Sequence, residues 1–117
     1  MEHDGNENVK KMLSLPYKVN GLFCANDVVA IGAIQYLKKV QIKIPDDIAI
    51  VGFSNETISS VIEPALTTIN QSGLEIGTVA TNLLINKISN ATNKNINETI
   101  IVKTNLIERK SSLRKVN

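Results

Sequence analysis

The sequence has little of what most site chemistry needs. Its 117 residues include one cysteine, one histidine, three prolines and no tryptophan. A lone Cys24 cannot close an internal disulfide, which excludes a disulfide scaffold and fits a reducing compartment. The one histidine, His3, lies in a polar terminus, so a His-based triad or a metal cluster has nothing to build on. No apolar run approaches the ~18–20 residues that a membrane span requires. The start, Met1-Glu2-His3-Asp4-Gly5, is acidic and polar and so does not read as a secretory leader. Charge of one sign is missing as well. Thirteen basic and 11 acidic residues leave a net +2, too balanced for a chain that grips nucleic acid by charge. Neither GxGxxG nor GxxxxGK occurs, so no phosphate-cradling loop is expected. What is there, 43% hydrophobic and 21% charged residues, excludes disorder and collagen and fits one small folded domain. These readings favour a cytoplasmic setting with no cofactor and no metal.

Periodicity gives alternating helices and short apolar runs. Asn8 to Leu15 reads as a weak amphipathic helix with Val9, Met12 and Leu13 at three- and four-residue spacing, stopped by Pro16. Gly21 to Ala25 is a short continuous apolar run, expected as a strand buried on both faces. Asn26 or Asp27 then caps a helix whose inner stripe is Ala30, Ala33, Ile34 and Leu37, with Lys38 and Lys39 at its negative end. Ile48 to Phe53 is a second apolar strand, completing a βαβ unit with a right-handed crossover and a parallel sheet. Leu66 to Ile69 is a third strand. From Ser72 or Gly73 a helix runs with Ile76, Ala80, Leu83, Leu84 and Ile88 on one stripe. A polar loop to Asn97 and two closing strands, Thr99 to Val102 and Leu106 to Glu108, complete the chain, with a frayed basic tail from Arg109. The triplets Asn55-Glu56-Thr57, Asn90-Ala91-Thr92 and Asn97-Glu98-Thr99 are read as accidents of an asparagine-rich composition, since the acceptor motif needs a secreted context.

As an enzyme the sequence is nearly empty. Cys24 sits in an apolar strand, where a thiol behaves as a small hydrophobe, and Asp46-Asp47 reads as a solvated turn. One polar cluster stands out. Asn26 and Asp27 follow the first strand and Ser54 and Asn55 the second, all at the carboxyl edge where open α/β sheets bind ligands. Caps and a turn would explain the same residues without a ligand.

Four stretches closely resemble the lactose-repressor (LacI/GalR) family of transcriptional regulators. Phe23-Cys24-Ala25-Asn26-Asp27-Val28-Val29-Ala30-Ile31-Gly32-Ala33 resembles its "fcaNDxxAxGA" signature. Ile44-Pro45-Asp46-Asp47-Ile48-Ala49-Ile50-Val51-Gly52-Phe53 is similar to "vPxDisvvGfDd", Pro64 to Gln71 to "PxLTTvxQ", and Leu106-Ile107-Glu108-Arg109-Lys110-Ser111 to "LixRxS". The resemblance implies the last third of a sensor region: α/β, a partial periplasmic-binding-protein-like (type I) lobe with a parallel βαβ sheet flanked by helices. It implies residues 1–66 in the C-terminal lobe, 67–104 as crossover, helix and strand of the N-terminal lobe, and 105–117 as return strand and tail. It places Asn26, Asp27 and Ser54 at a small sugar-like effector, with Asp27 mainly orienting the helix start. A homodimer contact would use Ile31, Gln35, Ile58, Val61 and Ile62, and the crossing hinge Thr67, Thr68 and Gln71. Operator DNA would be bound only through an upstream domain absent from this chain. The alternative is the C-terminal part of a periplasmic sugar-binding protein of an ABC-type transporter. Two positions depart from the pattern. Ser54 stands where the family has an aspartate that contacts ligand hydroxyls, and Gln41 where it prefers a glycine after the helix.

Overall fold

In the computed structural model of the chain, residues 2–89 and 99–114 are described. The chain divides into two compact units, Met1–Asn70 with Asn105–Asn117, and Gln71–Thr104. The expected polar loop from Asn90 to Asn97 and the last residues of the tail lie outside the described residues.

The first unit begins with α1 (Glu2–Leu13), then β1 (Gly21–Phe23), α2 (Asp27–Lys39) and β2 (Ala49–Phe53). β1 and β2 pair in parallel, with Phe23 opposite Val51, so the expected βαβ unit is present. The one-turn α3 (Ile58–Val61) leads to β3 (Thr67–Asn70), also parallel to β2. β4 (Asn105–Ile107) returns antiparallel to β3, giving a mixed four-stranded sheet in the order β1-β2-β3-β4. The class is α/β, as the patterning indicates.

The helix ends follow from local chemistry. Asn26 is extended at φ −157° and its side-chain oxygen accepts a 2.9 Å hydrogen bond from the Val29 amide, so Asn26 rather than Asp27 is the cap. At the other end Gln41 is left-handed, φ 61°. Its amide bonds the Lys38 carbonyl at 3.1 Å and the Ile42 amide bonds the Leu37 carbonyl at 2.9 Å. That pair of bonds is a Schellman stop, the device for which glycine is usually chosen. α1 packs closely on α2 because Gly5 is bare: a β-carbon there would strike the Val29 carbonyl. Val9, Ile34, Leu37, Ile50 and Leu66 are sealed in the core between helices and sheet, each contributing about 1.5–3 kcal/mol by its burial.

Three expectations change. β1 is not buried on both faces: it is an outer strand, and Phe23 is 62% exposed. Residues 99–102 are not a strand, since the described part of Gln71–Thr104 holds no other strand to complete a ladder. Residues 109–114, the described part of the tail, are not frayed. Ser111 is fully buried, its hydroxyl accepting from the Thr67 amide at 2.8 Å and donating to the Ile50 carbonyl at 2.6 Å. It ties β2 to β3.

In the second unit α4 (Gly73–Ser89) starts at Ser72, whose hydroxyl accepts from the Glu75 amide at 3.3 Å. No residue of α4 is buried. Of the stripe read from the sequence, Leu83 is half-buried and the rest is exposed, Leu84 at 59% and Ile88 at 68%.

Candidate functional site

The adjacent parallel strands β1 and β2 deliver Asn26 and Ser54 to the same carboxyl edge of the sheet, and the 2.8 Å bond from the Cys24 amide to the Val51 carbonyl carries the ladder to that edge. Asn26 is half-buried. Its oxygen is committed to the Val29 amide, which leaves its NH2 group as the part able to donate to a ligand. Ser54 follows β2 at φ 110° and Asn55 at φ 53°. Two consecutive left-handed non-glycine residues are strained, by ~1–3 kcal/mol each, and such strain persists only where the surroundings hold it.

What holds it is a polar network under the rim. The Ser54 amide donates to the Ile69 carbonyl at 2.9 Å. The Asn55 amide donates to the Thr68 hydroxyl at 3.3 Å, and the Thr68 hydroxyl in turn donates to Asp27 Oδ1 at 2.6 Å. The Glu56 amide donates to Asp27 Oδ2 at 2.7 Å. Asp27 is thus fully buried with both oxygens engaged. Its carboxyl group holds the start of α2 to the turn after β2 and to β3. Gly52 makes room for it, because a β-carbon at that position would strike Asp27 Oδ1.

The other candidates fall in separate places. Ile31 lies outside the main core cluster but is only 8% exposed, so the chain already buries much of it. Gln35 is exposed, Ile58 and Val61 are 46% and 70% exposed, and Ile62 packs partly against the core. Thr67 and Thr68 are buried inside β3 and hydrogen-bonded on their side chains. The division of the chain falls between Asn70 and Gln71. Cys24 is buried, and burial, then the nearby Asp27, push its thiol up to about 11, away from nucleophilic use. Among the described residues no cluster of three His, Cys, Asp or Glu side chains could hold a metal, and no helix is long and apolar enough to cross a membrane. A cleft of about 430 Å³, lined by Leu15, Tyr17, Val19 and Ile48 among others, lies at the amino ends of β1 and β2, the opposite end from the rim.

Sequence reasoning missed Arg109, Thr68 and Asn70 as parts of the site. Arg109 donates to Asn55 Oδ1 at 3.0 Å, yet it lies 54 residues away in the chain. No local pattern signals such a contact.

A strained turn and a capped helix start lie side by side at the carboxyl edge of a mostly parallel α/β sheet, and the comparisons give the family. A profile of the periplasmic binding protein-like domain matches residues 2–112. The chain belongs to that family, and within it corresponds to the C-terminal part of a LacI/GalR-type transcriptional regulator. The HTH-type transcriptional repressor PurR of Mannheimia succiniciproducens is 36% identical over 108 residues, 92% of this chain and 32% of the relative. The HTH-type transcriptional regulator RegA of Clostridium saccharobutylicum is 33% identical over 110 residues, 93% of this chain and 32% of the relative. Among solved structures, a LacI family transcriptional regulator from Enterococcus faecalis with bound ribose is 31% identical at a TM-score of 0.82, over 95% of this chain and 40% of that one. The chain spans roughly a quarter to a third of the length of the curated relatives it matches. These relatives are regulators by name, so the transporter alternative is not favoured.

Proposed function

We propose that this chain is the effector-sensing and dimerisation part of a cytoplasmic LacI-type regulator, and that it acts by binding rather than catalysis. The effector is a small, sugar-like polyol. The observation that carries the reading is the left-handed pair Ser54-Asn55, held at the carboxyl edge beside Asn26. The Asn26 amide donates to one ligand oxygen, and Ser54 places a neutral hydroxyl beside another. Asp27 supports both from below. A neutral serine replaces the carboxylate expected in the family, which removes the bidentate grip on a diol and shifts preference toward ligands that need a single neutral partner. Ribose bound to the Enterococcus faecalis relative, and cellobiose to the regulator CelR at 25% identity and a TM-score of 0.87, support the ligand class.

In this reading the homodimer contact uses the exposed Ile58 and Val61 with Gln35, backed by Ile31 and Ile62. Gln71 marks the crossing at which the two units hinge. DNA is reached only through a domain outside this chain. The test is calorimetric titration of pentoses, hexoses and disaccharides, ribose and cellobiose included, into the protein that carries this chain. Saturable binding of a panel member, redirected toward another by Ser54→Asp, is expected. No binding by any sugar, or a profile that Ser54→Asp leaves unchanged, would overturn the assignment.

A further inference from the structure

We infer that Arg109 is the positioning residue of the effector rim, and that a file of asparagine side chains carries its hold to the points where the chain leaves and re-enters the first unit. The guanidinium is fixed before it reaches the rim. Its Nη1 donates to the Leu66 carbonyl at 2.7 Å and to the hydroxyl of buried Ser59 at 3.0 Å. The Arg109 backbone amide donates to the Thr67 hydroxyl at 2.8 Å. With one nitrogen and the backbone anchored, the planar fork aims Nη2 at Asn55 Oδ1, 3.0 Å away. A lysine has no second nitrogen in a fixed plane and cannot make this set of contacts.

Asn55 is one of the two strained residues of the rim. Its oxygen accepts from Arg109 while its Nδ2 donates to Asn70 Oδ1 at 3.2 Å. Asn70 repeats the pattern, its Nδ2 donating to Asn105 Oδ1 at 3.2 Å. The amides therefore run head to tail from a permanent positive charge, an order in which each bond polarises the next. Asn70 is the last residue before the chain passes to the second unit, and Asn105 the first after it returns. Rim and crossing share one hydrogen-bonded line. Any movement of Asn55 that accompanies ligand entry must lengthen a bond in it. The use of this line in signalling rests on the effector reading proposed above; the line itself can be tested with no ligand present.

The experiment is amide hydrogen exchange by NMR on the full 117-residue chain. Arg109→Lys is expected to speed exchange of the Asn55 and Glu56 amides at least tenfold while Ile34 and Leu37 keep their protection. Asn55→Asp retains the acceptor for Arg109 and removes the donor to Asn70. It should leave Glu56 protected and speed the Asn105 amide several-fold. Should Arg109→Lys unfold the chain, Asn55→Gly removes the same link without backbone strain and is expected to loosen both Glu56 and Asn105. Uniform acceleration of all amides, or an Asn105 amide indifferent to both changes at Asn55, would overturn the proposal. If instead exchange behaves as expected and no sugar binds, the relay stands and only the ligand reading falls.

Discussion

Replacing Gly52 by alanine adds one methyl group, and the structure says where it goes. The new β-carbon would collide with Asp27 Oδ1 and lie 3.0 Å from Leu66 Cδ2. Leu66 is a flexible side chain and can give a few tenths of an ångström. Asp27 cannot yield so easily, because its oxygens hold the Thr68 hydroxyl at 2.6 Å and the Glu56 amide at 2.7 Å in a fully buried position. Hydrogen bonds to a charged group contribute about 1.5–3 kcal/mol each, and a buried charge left with fewer partners costs more. Losing or lengthening both predicts a destabilisation of ~3–5 kcal/mol, a large part of the roughly 5–15 kcal/mol that holds a domain together. Urea unfolding followed by circular dichroism measures it. The mechanism also predicts coupling, since in an Asp27→Ala background the methyl group has no carboxylate to displace and should cost only about 1 kcal/mol. A penalty below ~1 kcal/mol in the parent chain, or one undiminished without Asp27, would refute the reasoning.

Gln41 holds a left-handed φ of 61°, so Gln41→Gly should relieve about 1 kcal/mol of strain, read as a rise in Tm. Part of that gain is offset by the freer unfolded chain, and a fall in Tm would count against the strain. The Cys24 thiol is raised from 9.0 to about 11 by burial and then by Asp27. A raised acid of this kind contributes stability that is fully present below its unfolded pKa and is lost as pH climbs through the folded value. Tm should therefore fall between pH 9 and 11, less steeply in Cys24→Ala, and native Cys24 should resist alkylation at pH below its raised value; identical pH profiles would contradict this. Val61 is 70% exposed and outside the core, so Val61→Asp should give folded monomers in sedimentation, with a circular dichroism spectrum like that of the parent. A persistent dimer would move the interface elsewhere.

Helices and parallel strands were legible because their signals are local. The stripe of Ala30, Ala33, Ile34 and Leu37 and the cap at Asn26 need no knowledge of the rest of the chain, and all four side chains are buried as read. Strand burial was less legible, because it depends on what covers each face. Gly21-Leu22-Phe23 reads as a core strand by composition, yet it forms an outer strand with Phe23 exposed. Residues 99–102 have strand composition and no strand beside them. The tail was misread for the same reason. Arg109 and Ser111 look like a basic polar end, and their partners lie 42 to 61 residues back in the chain. Periodicity says nothing at that range.

The motif residues show why the site was harder to read than the family. Asp27 of the first block meets Thr68 of the third. Gly52 of the second leaves the space that Asp27 occupies. Thr67 of the third bonds Arg109 and Ser111 of the fourth, and Ser111 reaches back to Ile50 of the second. The residues that make the resemblance recognisable are thus largely those that lock β2, β3, the start of α2 and the tail into one buried polar network. Such a network must be fully satisfied or it destabilises the core, so its members cannot be exchanged one at a time. In the reading proposed above, ligand choice falls instead to Asn26 and above all Ser54, at the rim of this network. The two departures from the family pattern, Ser54 at the rim and Gln41 after α2, both lie outside the residues that hold the Asp27 carboxylate. In that reading the family's buried network is kept while effector preference shifts at the rim, and Ser54→Asp is the substitution that tests it.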